Sequence, residues 1–205
     1  MTEIIISHQH RFVCFSNPRC GSTSLRNLLE PYGDIRGVPE YPFHNHANSV
    51  SLRATFSREG WEWNDYVAFT TIRNPWARIV SMWEYAEVMP ESVWAIHRRK
   101  ANTFQRFVLG LTDYMEEMYA ERHPSTGMSS MTISQFVDSS VRIFRLEDIS
   151  RDLPPLLESL GISEVDIPHH NSTSHRPYRD YYSWRTRRTV SKFMAADIDE
   201  GNYVF

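Results

Sequence analysis

The run Phe12-Val13-Cys14-Phe15-Ser16-Asn17-Pro18-Arg19-Cys20-Gly21-Ser22-Thr23-Ser24-Leu25 passes from an apolar, strand-like stretch through a Pro/Gly turn into a helical pattern. Strand, tight loop and helix start form a phosphate-binding layout, because a helix N-terminus carries unpaired N–H groups and partial positive charge. Gly21 to Ser24 are placed to cradle an anion, and Arg19 supplies a full charge. The competing reading is a Pro-kinked turn in which Ser22 or Thr23 merely caps a helix. The nucleotide triphosphatase loop needs G-x-x-x-x-G-K-[ST], whereas the only lysines here are Lys100 and Lys192. A phosphate-bearing ligand handled differently from ATP is therefore expected.

Some fifty residues later Tyr66 to Ile72 repeats the buried-strand pattern and leads into Arg73-Asn74-Pro75-Trp76-Ala77-Arg78-Ile79-Val80-Ser81. Pro75 suits the first turn of a helix, which puts Arg73 at the strand's end and Ser81 along the helix. In an open α/β sheet both strand ends face one crevice. Two anion-reading elements on one edge suggest a ligand with two separate phosphate groups.

Strand candidates at Arg11 to Ser16, Tyr66 to Ile72 and Val141 to Leu146 are each followed by a helical pattern, at Thr23 to Glu30, Pro75 to Val88 and Ile149 to Leu160. Such alternation predicts an α/β fold, a P-loop-like doubly wound parallel sheet flanked by helices, as one domain over residues 1–205. Residues 89–140 read as an irregular insertion with one helix at Thr103 to Leu111. Tyr182 to Asp197 reads as an Arg-rich helix.

The formal net charge of −3 offers no global pull toward nucleic acid or an anionic membrane, so an acidic substrate has to be met by a local patch. No stretch approaches the roughly twenty apolar residues of a membrane span, and Met1 to Ser7 lacks a signal peptide's basic and apolar regions. A soluble, cytoplasmic protein is expected. Cys14 and Cys20 are too few and too internal for a disulfide framework. Cys20 reads as small filler in a tight turn, a nucleophile being the alternative.

These elements resemble the sulfotransferases that use 3′-phosphoadenosine 5′-phosphosulfate, in the carbohydrate (chondroitin and heparan type) branch. Pro18 to Ser24 is similar to the family's 5′-phosphosulfate loop. Arg73, Asn74, Pro75, Arg78, Val80 and Ser81 match its R-[DN]-P-x-x-R-x-V-S element for the 3′-phosphate. Phe144 to Ile149 looks like its third strand and turn, and the tail from His170 to Tyr203 like its C-terminal segment. The resemblance implies sulfuryl transfer to a hydroxyl-bearing acceptor, a glycan by preference, with adenosine 3′,5′-bisphosphate as product and no metal. It implies donor contacts from Arg19, Cys20, Gly21, Ser22, Thr23, Ser24, Arg73 and Ser81, with Ser172 and Tyr178 from a closing loop. A P-loop-type kinase and a non-catalytic nucleotide-binding module of the same fold are the alternatives. Neither the acceptor's identity nor an oligomeric state is written in these motifs.

Sulfuryl transfer needs a base for the acceptor hydroxyl, positive charge at the bridging oxygen, and alignment of the two. Arg19 stands where the family usually has lysine, and a guanidinium stabilises a leaving phosphate but donates protons poorly. For the base, the resemblance points to His44-Asn45-His46, where uronyl 2-O-sulfotransferases carry His-x-His; His46 is preferred over His44, and Glu147 is the rival. Loop histidines without chemistry are the plain alternative.

Overall fold

Strand pairing begins with a short connection, residues 8–11. A computed structural model describes residues 4–36, 48–121, 132–163 and 176–205. Strands β1 (Ile5–Ser7) and β2 (Phe12–Cys14) form an antiparallel hairpin with Ile6 opposite Val13. Strand β3 (Ile35–Arg36) pairs antiparallel with the other edge of β1. Strands β4 (Val67–Ile72) and β5 (Arg142–Arg145) continue from β2 in parallel, giving the order β3-β1-β2-β4-β5. Only β1 runs against the rest: a tight turn forces reversal, whereas parallel neighbours need long crossovers. The sheet is thus α/β and mostly parallel, with one reversed strand that the motif spacing does not reveal.

The helices are α1 (Ser22–Leu29), α2 (Ser49–Glu59), α3 (Pro75–Val88), α4 (Val93–Ala101), α5 (Phe104–Leu109), α6 (Leu111–Glu121), α7 (Ile133–Phe136), α8 (Ile149–Ser159), α9 (Trp184–Phe193) and α10 (Ala195–Gly201). Side-chain alternation in the strands assigns them to two faces. Ile5, Phe12, Cys14 and Phe69 face α1 and α8 through Leu25, Leu29, Leu153 and Leu157. Ile6, Val13, Phe15, Ala68 and Ile72 face the opposite core, with Phe56 of α2 and Ile79 and Val80 of α3. Both faces are covered, as a doubly wound sheet requires.

Where periodicity predicts one helix between residues 89 and 140, the described residues contain α4 to α7. Two of their starts are written in the sequence: Ser92 Oγ accepts from Ala95 N and Thr103 Oγ1 from Arg106 N, as N-caps do. The Arg-rich C-terminal pattern is two helices, α9 and α10, and α9 opens on a capping box between Ser183 and Thr186. Among the described residues no helix is long and apolar enough to cross a membrane.

Candidate active site at the carboxyl ends of the parallel strands

The loop leaving β2 is held from beneath at several points. Asn17 Nδ2 donates to Thr71 O at 2.9 Å, and Thr71 Oγ1 donates to Cys20 O at 2.6 Å. Arg78 of α3 donates from Nε to Pro18 O at 2.9 Å and from Nη2 to Asn17 Oδ1 at 2.7 Å. Residues 17, 18 and 20 are thereby fixed to β4 and α3. Arg19, between them, adopts the left-handed conformation with φ +62, which turns its side chain over α3. Gly21 follows at φ +85, and a Cβ there would lie 2.4 Å from Leu146 Cδ1, so both the backbone and the space call for glycine. No side chain caps α1. The amide of Ser24 already donates to Gly21 O at 3.0 Å, and those of Ser22 and Thr23 precede the first bonds of the helix.

The second element follows β4. Asn74 caps α3 by accepting from Ala77 N at 3.1 Å, and Pro75 fills the first helical position. The capped turn fixes Arg73 at the strand end and Ser81 two turns along α3. Arg19 reaches across: its Nε and Nη2 donate to Ser81 Oγ at 3.2 and 3.0 Å. Its guanidinium carbon lies 4.1 Å from the ring centroid of Tyr85, one helical turn beyond Ser81. The loop and the Arg-Asn-Pro element thus meet through Arg19 and Ser81. Arg73 is half-buried and makes no hydrogen bond or ion pair among the described residues. Burial holds its guanidinium below the ordinary range, against the pull of nearby Glu147. A desolvated cation that lacks a direct hydrogen-bonded partner is costly, and an anionic ligand would relieve that cost.

The remaining expected residues divide three ways. Glu147 accepts from Asn74 N at 2.7 Å through Oε1 and from Tyr203 Oη at 2.8 Å through Oε2. Both its oxygens are engaged, the arrangement of an anchor for the Arg-Asn-Pro turn. Burial, with Glu147 adding to it, pushes the Tyr203 phenol far up, so it stays a neutral donor. Tyr178 lies beside the start of α3: its ring packs on Phe205 at 5.7 Å, and Phe205 packs on Trp76 at 5.4 Å. His44, His46 and Ser172 lie outside the described residues. Ser22 and Thr23 are half-exposed at the start of α1, while Ser24 is buried. Cys20 is buried, and burial pushes its thiol up to about 11 against the attraction of Arg78. It is a neutral filler at physiological pH, and its contribution to the loop is its backbone.

Arg98 and Arg99 line a separate open pocket of about 400 Å³ between α3 and α4, together with Trp83 and Asn102. Arg98 stacks on Trp83 at 3.9 Å and pairs with Glu87. Trp83 is two residues from both Ser81 and Tyr85 and so projects from the opposite side of α3. Of the six tryptophans, Trp184 is outward-facing, at 74% exposure, whereas Trp76 and Trp94 belong to the core.

Motif reading missed Asn17, Thr71, Tyr85 and Asp197. Tyr85 had a usable signal, since i and i+4 share a helix face with Ser81. The other three act through tertiary contacts that have no sequence period. Together, the residues bring a helix start, two arginines and a hydroxyl to the carboxyl ends of β2 and β4, groups chemically able to attract an anion.

A family model described as "Sulfotransferase family" matches residues 2–200. A search of curated proteins returns no match. Among solved structures, the sulfotransferase from Alicyclobacillus acidocaldarius is similar at 13% identity and TM-score 0.48, with 92% of each chain covered. The match to the family model over nearly the whole length means that the chain belongs to the sulfotransferase family.

Proposed function

We propose that the protein transfers a sulfuryl group from 3′-phosphoadenosine 5′-phosphosulfate to a hydroxyl of a carbohydrate acceptor. The observation that carries this reading is the hydrogen-bonded meeting of Arg19 with Ser81, with Arg73, which makes no hydrogen bond among the described residues, at the end of the strand that leads into the same helix. A ligand with a phosphate at each end of a nucleoside would satisfy both elements. Arg73 and Ser81 hold the 3′-phosphate. The amides of Gly21, Ser22 and Thr23 and the hydroxyls of Ser22, Thr23 and Ser24 hold the 5′-phosphate, with the Cys20 backbone shaping the turn. The donor, when bound, supplies the sulfuryl group and a phosphate leaving group. Arg19 stabilises the negative charge that develops on that leaving group, and the Tyr85 ring keeps its guanidinium in plane. His46 takes the acceptor proton, with His44 as its neighbour and Glu147 as the rival base; the doubly occupied carboxylate of Glu147 favours the histidine. Ser172 and Tyr178 belong to the side that closes over the donor.

Calorimetric titration tests the reading. Adenosine 3′,5′-bisphosphate is expected to bind far more tightly than AMP or ATP, and Arg73→Ala to cost about 1.5 to 3 kcal/mol and erase that preference. Equal affinities for the bisphosphate and AMP would remove the assignment of Arg73 and Ser81. Tight bisphosphate binding without sulfation of any glycan acceptor would mark a binding module instead.

A further inference from the structure

We propose that Arg78 and Asn17 are positioning residues for the phosphate-binding loop, forming a buried clamp that Asp197 of α10 braces from behind. The inference rests on the reading of that loop as the donor's 5′-phosphate site. Arg78 is 0% exposed, and its planar guanidinium donates to Pro18 O from Nε, to Asn17 Oδ1 from Nη2, and to Asp197 Oδ1 from Nη1 at 3.2 Å. Asn17, 1% exposed, passes the restraint on to β4 through Thr71 O. Asp197, also 1% exposed, spends its second oxygen on the amide of Ile133 at 2.8 Å, at the first residue of α7. One guanidinium therefore ties the loop, α3, α7 and α10 together.

Stability alone does not account for this arrangement. A buried ion pair gains little net energy over a well-packed apolar pair, because both charges lose their water. Burial also pushes the Asp197 carboxyl up in spite of the adjacent Arg78, so the pair carries a desolvation cost. An apolar pair cannot hold a carbonyl and an amide oxygen of one loop in fixed directions, which is what a guanidinium fork does. With residues 17 and 18 pinned by Arg78, and residue 20 by Thr71, Arg19 is the loop residue left to project. Its left-handed φ costs energy that the flanking contacts must offset. The clamp therefore sets where the Arg19 guanidinium and the α1 amides point.

Three variants separate positioning from packing. Arg78→Lys keeps a cation for Asp197 but lacks the fork for Pro18 and Asn17. Asn17→Ala removes the link to β4. Asp197→Asn leaves the loop contacts in place and can still accept from Ile133. In ligand-free protein, amide exchange at Cys20 to Ser24 is expected to accelerate at least about ten-fold in Arg78→Lys and Asn17→Ala, with amides of β4 changing less than about two-fold. The dissociation constant for adenosine 3′,5′-bisphosphate should rise by about ten-fold or more in the same two variants. Asp197→Asn should lower the urea midpoint while leaving loop exchange within about three-fold. Folded Arg78→Lys and Asn17→Ala proteins with wild-type loop exchange would overturn the proposal, as would Asp197→Asn loosening the loop as much as they do. If Arg78→Lys does not fold, Asn17→Ala decides alone. Should the wild type fail to bind the bisphosphate, the donor reading falls while loop exchange still tests the clamp.

Discussion

Gly21 shows how a single residue can carry both a conformational and a steric requirement. Its φ of +85 lies in the left-handed region, and Leu146 Cδ1 occupies the place of any Cβ. Gly21→Ala is expected to lose about 1–2 kcal/mol from the backbone term, with more from the Leu146 contact. Adding Leu146→Ala should relieve the contact and leave the backbone cost. Urea unfolding of the two proteins checks this, and a double variant as stable as wild type would show that no backbone strain was present. Arg19 differs in kind. It pays the left-handed cost with a side chain attached, and such strain recurs at functional sites because surrounding contacts over-determine it. The sequence reading selected Arg19, Arg73 and Ser81 from their spacing. It could not select Asn17 or Thr71, whose roles come from facing one another across β2 and β4.

At the scale of elements, α4 to α6 show where periodicity failed. The helices are short and separated by one or two residues, so no apolar stripe runs long enough to stand out, although Ser92 and Thr103 announce two starts. Their packing encloses His97, 5% exposed, with Nε2 2.7 Å from Phe107 O and its ring stacked on Tyr114 at 4.4 Å. Burial holds the imidazole below its ordinary value, against the Phe107 carbonyl, which favours the charged form, and with Lys100 adding to the depression. The folded state thus prefers neutral His97, whereas the unfolded chain takes up a proton near pH 6.5. This contribution is present above that pH and is lost as pH falls toward the lower folded value. Urea midpoints at pH 7.5 and pH 5 should differ more for wild type than for His97→Gln, whose amide can still donate to Phe107 O. An equal acid loss in both proteins would show that His97 does not set it.

For the whole molecule, one sheet carries two cores. Leu29 lies beneath α1 on one face and Phe56 beneath α2 on the other, both at 0% exposure. Leu29→Ala should cost about 2–5 kcal/mol and Phe56→Ala about 3–5 kcal/mol. Because both faces share β2 and β4, each variant should shift one common unfolding transition followed by tryptophan fluorescence and by circular dichroism. Separate transitions for the two probes would mean that the faces unfold as independent units.

The α/β class, the three parallel strands and the two strand-loop-helix elements were legible in the sequence because each is local. An apolar run, a Pro/Gly loop and an Arg-Asn-Pro cap act on backbone within a few residues. Their joining was not local. Ser81 meets Arg19 because β2 and β4 are parallel neighbours, and Arg78 reaches Asn17, Pro18 and Asp197 because α3 crosses beneath the loop toward α10. The reversed β1 and the engagement of Glu147 by Asn74 and Tyr203 likewise depend on partners 73 and 56 residues away from that carboxylate, or on pairing across a hairpin. Sequence spacing names the groups that can bear charge, but only the tertiary structure decides which are clamped, as Arg78 is, and which are engaged by distant partners, as Glu147 is.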